Sequence, residues 1–195
     1  MKELKFECQR CGHCCMELKM KTSAGLLGLY LQLHEVKMFP AANVFPMYGC
    51  GQKGVSRPRP ARIFAYQLDM QPCPHFDMIS KNCRIYANRP IICRSFPLDG
   101  IVASRHCPQI CSQVEDDEPF TIDQATFQTE KVANILYFRN LRLFQPLTPM
   151  WVWPLDKRRW IKKTKDMSEA FFKTLPESVK QTLTERRGNI ASLLL

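Results

Sequence analysis

Cys8-Gln9-Arg10-Cys11-Gly12-His13-Cys14-Cys15 packs four thiols into eight residues. Three stand at i, i+3 and i+6, and the fourth is vicinal. Two residues between thiolates let both sulfurs reach one ion or one face of a cluster, which is why C-x2-C recurs in zinc and iron–sulfur sites. Gly12 relaxes the backbone where it must fold around an ion. This string predicts metal or cluster ligation ahead of buried inert cysteine or a redox dithiol. The metal itself is left open by the spacing. C-x2-C-x2-C matches the first three positions of a bacterial ferredoxin, but the next position is Leu18. A C-x3-C-x2-C radical-SAM run fails at Leu18 after Cys11 and Cys15, and at Val114 after Cys107 and Cys111. A zinc ribbon needs a second, distant C-x2-C, and the sequence has none. The ferredoxin-like triplet tips the reading toward iron–sulfur over zinc.

The other cysteines come singly. Cys73, Cys83 and Cys93 are ten apart and can meet only through tertiary folding. Pro90 suits the first position of a helical turn, which puts Cys93 near free backbone N–H groups that favour a thiolate. Arg84 and Arg94 each follow a cysteine. They read equally as solvated surface and as charge compensation for anionic sulfur. His13, His75 and His106 lie within two residues of a cysteine, and are expected as supporting donors or exposed side chains more than as ligands.

Three strings together carry a resemblance: Cys8–Cys15, Cys-Pro-x-Phe at Cys73–Phe76, and Cys83-x-Ile-Tyr-x-x-Arg-Pro-x-x-Cys-Arg-x-Phe-Pro, which ends at Pro97. The chain resembles the YkgJ-type cysteine-cluster proteins, described as a zinc- or iron-chelating domain, from about Phe6 to Cys111. The resemblance implies eight metal-ligating cysteines: Cys8, Cys11, Cys14, Cys15, Cys73, Cys83, Cys93 and Cys107. Cys111 competes with Cys107, and Cys50 falls outside the pattern as a spare thiol. The implied cofactor is an iron–sulfur cluster, 4Fe–4S in kind, or zinc. A similar cluster in flagellin lysine methylases implies iron–sulfur chemistry. It does not carry methylation over, because this chain has no recognisable further catalytic region.

Positioning these thiols falls to an irregular stretch of chain. All ten cysteines lie at or before Cys111, and ten of the 14 prolines fall between Pro40 and Pro119. The acidic run Glu115-Asp116-Asp117-Glu118-Pro119 predicts a junction. The expected organisation is a cysteine-cluster domain over 1–115 and a mainly helical extension over 116–195 packed on it. The expected fold is a small, irregular, metal-stapled α+β domain. A short helix is predicted over His34–Phe39, a strand over Ala61–Leu68 and another over Ile101–Ser104 after an Asp99-Gly100 turn. Val132, Ile135, Leu136 and Leu143 recur at helical spacing within Asp123–Phe144. Asp123 is the expected N-cap of that helix, and Pro146 follows it. Two more helical pieces are read at Ser168–Leu175 and Glu177–Arg187, stopped by Gly188. Arg57-Pro58-Arg59-Pro60 reads as extended loop.

The chain has 195 residues and a formal net charge of +10. Its longest run without a polar residue, Ala24–Leu31, is far short of a membrane span. The charged start lacks a signal peptide's apolar stretch, so a cytoplasmic protein with reduced thiols is expected. Residues 1–111 carry +8 of the charge, part of which compensates thiolate ligands. The run Lys157-Arg158-Arg159-Trp160-Ile161-Lys162-Lys163-Thr164-Lys165, after Trp151 and Trp153, makes nucleic acid conceivable as a partner. It reads first as a strand with core aromatics and a solvated basic turn. No glycine-rich phosphate loop and no paired-carboxylate site stand out. Function therefore reads as metal binding in an accessory, electron-transfer or maturation role. A cluster-dependent enzyme and a zinc-organised nucleic-acid binder are the alternatives. No catalytic residue or substrate is named.

Overall fold

Two seven-residue segments rich in aromatic and branched side chains, separated by a Gly- and Pro-punctuated loop, form the central hairpin of the molecule. The computed structural model describes residues 2–99, 102–103, 107–113, 120–123, 125–143 and 149–163. The chain divides into two compact units, Met1–Lys163 and Thr164–Leu195, and every described residue belongs to the first.

Among the described residues the strands are β1 (Lys2–Leu4), β2 (Met20–Thr22), β3 (Gly25–Leu27), β4 (Leu29–Leu31), β5 (Val44–Cys50), β6 (Arg62–Leu68), β7 (Leu98–Asp99), β8 (Val102–Ala103), β9 (Phe120–Ile122), β10 (Met150–Val152) and β11 (Ile161–Lys162). The helices are α1 (His13–Met16), α2 (Ile91–Ser95), α3 (Pro108–Cys111) and α4 (Gln128–Arg142). Five strands make an antiparallel sheet in the order β11-β10-β5-β6-β4. β1 pairs in parallel with β9, while β2–β3 and β7–β8 are small antiparallel pairs. The fold is α+β.

A buried amide ties the sheet together. Gln67 of β6 accepts from Gly28 N–H at 2.8 Å and donates to the carbonyls of Pro46 (2.8 Å) and Trp153 (2.6 Å). Buried without those partners, the amide would cost a few kcal/mol, so it fixes which strands meet. Two apolar clusters flank the cysteine loops. Leu18, Leu31, Phe39, Leu68, Cys73 and Phe76 form one, with Cys15 and Met16 against it. Leu4, Phe6, Leu98, Cys107, Ile110 and Phe127 form the other, with Cys8 and Phe96 against it.

The strand expected at Ala61–Leu68 is β6, and Val102–Ala103 falls inside the one expected at Ile101–Ser104. The helix expected over His34–Phe39 is only a 3-10 turn at Val36–Met38, because Phe39 is extended ahead of Pro40. α4 starts later than expected. The Asp123 carboxylate takes the N–H groups of Ala125 (3.1 Å) and Thr126 (3.4 Å), and Asp123 N–H bonds to Leu4. That local turn competes with helix, so regular hydrogen bonding begins at Gln128. The face α4 buries also differs. Phe127, Glu130, Ala133 and Asn134 are buried, whereas Val132, Ile135, Leu136 and Leu143 are 42–62% exposed. α4 packs on α2 with its small and polar side. The acidic run, Gly100, Ile101, Ser104, His106, Phe144, Pro146 and the helical pieces around Pro176 lie outside the described residues. No helix among the described residues is long and apolar enough to cross a membrane.

Candidate metal centre

The first cysteine loop is held by the absence of a side chain. Gly12 is left-handed (φ 78°), and a Cβ there would fall 2.0 Å from Cζ of Phe76. The Phe76 ring therefore lies directly on the Gly12 backbone, a contact open only to glycine. Cys15 N–H and Met16 N–H return to the Gly12 carbonyl (2.8 and 3.2 Å) and close α1. Cys73 N–H donates to the Cys15 carbonyl at 2.8 Å. The glycine of the first motif and the phenylalanine of the second thus clamp Cys14 and Cys15 against Cys73.

Cys83 reaches the same place by a tight reversal. Phe76 and Cys83 form an isolated antiparallel bridge. Asp77 N–H bonds to Asn82 and Arg84 N–H to His75, each at 2.9 Å. At the tip the Asp77 carboxylate takes the N–H groups of Ile79 and Ser80, which pull its pKa below the usual carboxylate value. Arg84 Nη2 donates to the Pro74 carbonyl, bracing the base of the reversal.

Cys93 arrives on α2, and here one expectation is corrected. Pro90 is the N-cap of α2, one place before the first helical position, and it is followed by Ile91. Ile91 N–H is not free: it donates to Glu35 Oε1 at 2.7 Å, while Glu35 Oε2 accepts from Gln32 N–H at 2.8 Å. Glu35 is 3% exposed. Burial pushes the Cys93 thiol up, with the nearby Cys14 and Cys73 sulfurs adding to the effect. Desolvation outweighs the expected helix-end preference for thiolate.

The sulfurs brought together show their proximity in their electrostatics. Cys15 hydrogen-bonds through its thiol with both Cys14 and Cys73. That bond is the main reason Cys14 falls to about 7, with Arg89 assisting against burial. The Cys15–Cys73 bond is first in lowering Cys73 to about 6, helped by the N–H groups of His75 and Phe76 and by the His75 ring. Cys15 is held protonated by the same two contacts. Cys83 is raised mainly by burial, and it lies within electrostatic reach of Cys73 and Cys14. Cys14 and Cys73 are thus joined through Cys15, and Cys83 and Cys93 lie within electrostatic reach of them.

The other expected ligands have neighbours of their own, though Cys107 is also within electrostatic reach of Cys11 and Cys14. Cys8 is half-buried against the second apolar cluster and hydrogen-bonds through its thiol with the Tyr86 hydroxyl. Cys107 is buried in that cluster, is raised by burial, and feels Cys11 and Cys14. Cys11 and Cys111 are exposed, and Cys50 is buried at the end of β5, in the sheet. His13 faces Glu17 at 3.9 Å. His75 Nε2 stands 2.6 Å from the Met38 carbonyl, which can only accept, so that nitrogen carries hydrogen.

Three contributors carry no sequence signal for the role they play. Glu35 acts across 56 residues. Tyr86 and Arg89 lie inside the third motif but bear no ligand atom for a soft ion. In the basic run, Lys157 donates to the Ala24 carbonyl (2.6 Å), and Arg158 pairs with Asp69 (2.6 Å) over the Phe45 ring. Trp151 is core, and Ile161–Lys162 is a strand.

Among the described residues, no three Cys, His, Asp or Glu side chains stand as a finished coordination shell. Instead the free Cys15 thiol hydrogen-bonds with those of Cys14 and Cys73. The chemistry of the donor set nonetheless fits a thiophilic ion: clustered, largely desolvated sulfurs, two of them lowered toward thiolate, suit zinc and iron and not magnesium or calcium. Residues 7–112, more than half of the chain, match the CxxCxxCC family model, whose description is "Putative zinc- or iron-chelating domain". The chain belongs to this family, and its function class is metal chelation. No curated protein and no solved structure matches it.

Proposed function

We propose that the chain holds an iron–sulfur cluster, with zinc as the competing occupant, and serves electron transfer or metal-centre maturation. The observation that supports this is the mutual contact of Cys14, Cys15 and Cys73, with Cys83 and Cys93 in electrostatic reach. Four of these five sulfurs are the ligand number of a 4Fe–4S cluster. Bound there, the cluster would supply one-electron chemistry. The protein's own part is to aim the sulfurs, through Gly12 on Phe76 and Glu35 on α2, and to shed the thiol protons that compete with the metal.

A second reading has its own observation. Cys15 and Cys73 belong to one apolar cluster, Cys8 and Cys107 to the other. Cys8, Cys11 and Cys107 would then form a second centre beside the first, and two zinc ions would share the eight cysteines. Metal analysis with a visible spectrum, on protein purified without air, separates the two. A brown protein with iron, acid-labile sulfide and broad absorption near ~400 nm is expected. A colourless protein with about two zinc ions per chain would replace the first reading with the second.

A further inference from the structure

We propose that Arg10, Arg89 and Tyr86 form a binding site for a phosphate-class oxyanion at the edge of the sulfur group. The guanidinium of Arg89 stands 3.8 Å, and that of Arg10 4.4 Å, from the centre of the same Tyr86 ring. The two cations are therefore within about 8 Å of each other. The ring's quadrupole attracts each of them, and they repel one another. Among the described residues neither has a carboxylate partner; the ion pairs there join His13 to Glu17 and Asp69 to Lys19 and Arg158.

Arg89 uses Nε to hold the Tyr86 carbonyl (3.0 Å), which fixes its plane and leaves the Nη groups for a ligand. Arg10 is exposed, and its backbone is left-handed (φ 53°), an unusual conformation for a residue with a Cβ. Glu130 and the Cys14, Cys83 and Cys93 sulfurs feel Arg89 through space. Arg10 acts in the same way on the Tyr86 hydroxyl, which meets the Cys8 thiol.

Two planar forks without an ion-pair partner among the described residues match a tetrahedral dianion. Guanidinium binds phosphate through paired N–H bonds, and phosphate carries about −1.5 to −2 near neutral pH. Free phosphate and the phosphate ester of a larger molecule share this chemistry. The Tyr86 hydroxyl meets the Cys8 thiol, so a ligand here would sit one side chain from a candidate metal ligand. The site takes no sulfur as a ligand, and its test reads phosphate binding and metal content separately.

The test titrates inorganic phosphate, then glycerol phosphate, into the full-length protein as isolated. Calorimetry is paired with NMR of the arginine Nε–Hε resonances, and metal content is measured on every sample. Saturable binding at one site is expected, with the Arg10 and Arg89 resonances moving. Affinity should fall at least about tenfold in Arg10→Gln and in Arg89→Gln, and stay unchanged in Arg57→Gln on the β5–β6 loop. Tighter binding of glycerol phosphate would identify an ester as the ligand, and tighter binding of inorganic phosphate the free ion. If Arg89→Gln sheds metal, Arg10→Gln and the wild-type resonances decide. Absence of saturable binding, equal affinity in Arg10→Gln, or equal loss in Arg57→Gln would overturn the site. With metal content intact, any of those results leaves the chelation reading standing.

Discussion

The five-stranded sheet and the cysteine loops solve the same problem by different means. The sheet is held by apolar burial and by ladder bonds around Gln67, with Leu31, Ala65, Leu68, Met47, Trp151 and Val152 all buried. The cysteine loops, residues 8–17 and 70–95, contain one turn of helix at α1, a reversal at Asp77, a 3-10 turn at Tyr86–Asn88 and one turn at α2. They bury few large side chains besides Phe76 and Ile91, and their closest contacts are between sulfurs. Short irregular chain of this kind pays for its order with a bound ion, where the sheet needs none. The metal is thus expected to be a structural requirement of one region and a bystander to the other.

Substitutions can break that contrast, and they rank by size. Cys73→Ser should be the most damaging: a near-complete loss of metal and a loss of several kcal/mol, read by metal analysis and denaturant unfolding. Gly12→Ala comes next. The left-handed backbone costs about 1–2 kcal/mol, and displacing Phe76 adds about 1–3 kcal/mol. Metal retention should fall with stability in that variant. Gln67→Ala should cost about 2–3 kcal/mol by stranding Gly28 N–H and two carbonyls, yet leave metal per folded chain unchanged. A drop in metal content there would erase the distinction between the regions. Glu35→Gln leaves one acceptor where two are used, and should cost about 1–2 kcal/mol while lowering metal retention through Cys93. Cys50→Ser should be smallest, within about 1 kcal/mol and with metal intact. Metal loss in Cys50→Ser would mean the ligand set is wrong.

The sequence carried the chemistry further than the architecture. Spacing alone marked Cys8–Cys15 as a candidate ligating loop; the structure sets Cys14 and Cys15 against Cys73 but leaves Cys8 on Tyr86 and Cys11 exposed. The three motifs also marked Cys73, Cys83 and Cys93 for convergence. The route of convergence was not legible, since Gly12 meets Phe76 across 64 residues and Glu35 meets Ile91 across 56. Neither pairing leaves a local pattern. Cys93 departs from the local reading because its burial, a tertiary property, raises the thiol, while a distant carboxylate takes the Ile91 N–H at the helix end. In α4 the periodicity at Val132, Ile135 and Leu136 was real, but packing against α2 chose the opposite face. Gln67 ties β6 to Gly28, Pro46 and Trp153, and a single glutamine announces nothing in a sequence.

Differential alkylation tests the central claim most directly, because it reads each sulfur separately. The protein as isolated is labelled with one reagent, stripped of metal and unfolded, then labelled with a second, and each cysteine is scored by mass spectrometry. Exposed Cys111 should take the first label. Cys14, Cys15, Cys73, Cys83 and Cys93 should take only the second, and removing the metal before the first step should move them to the first label while buried Cys50 stays protected. First-label reaction of Cys14, Cys15 and Cys73 at the rate of Cys111 in the metal-bearing protein would contradict the account.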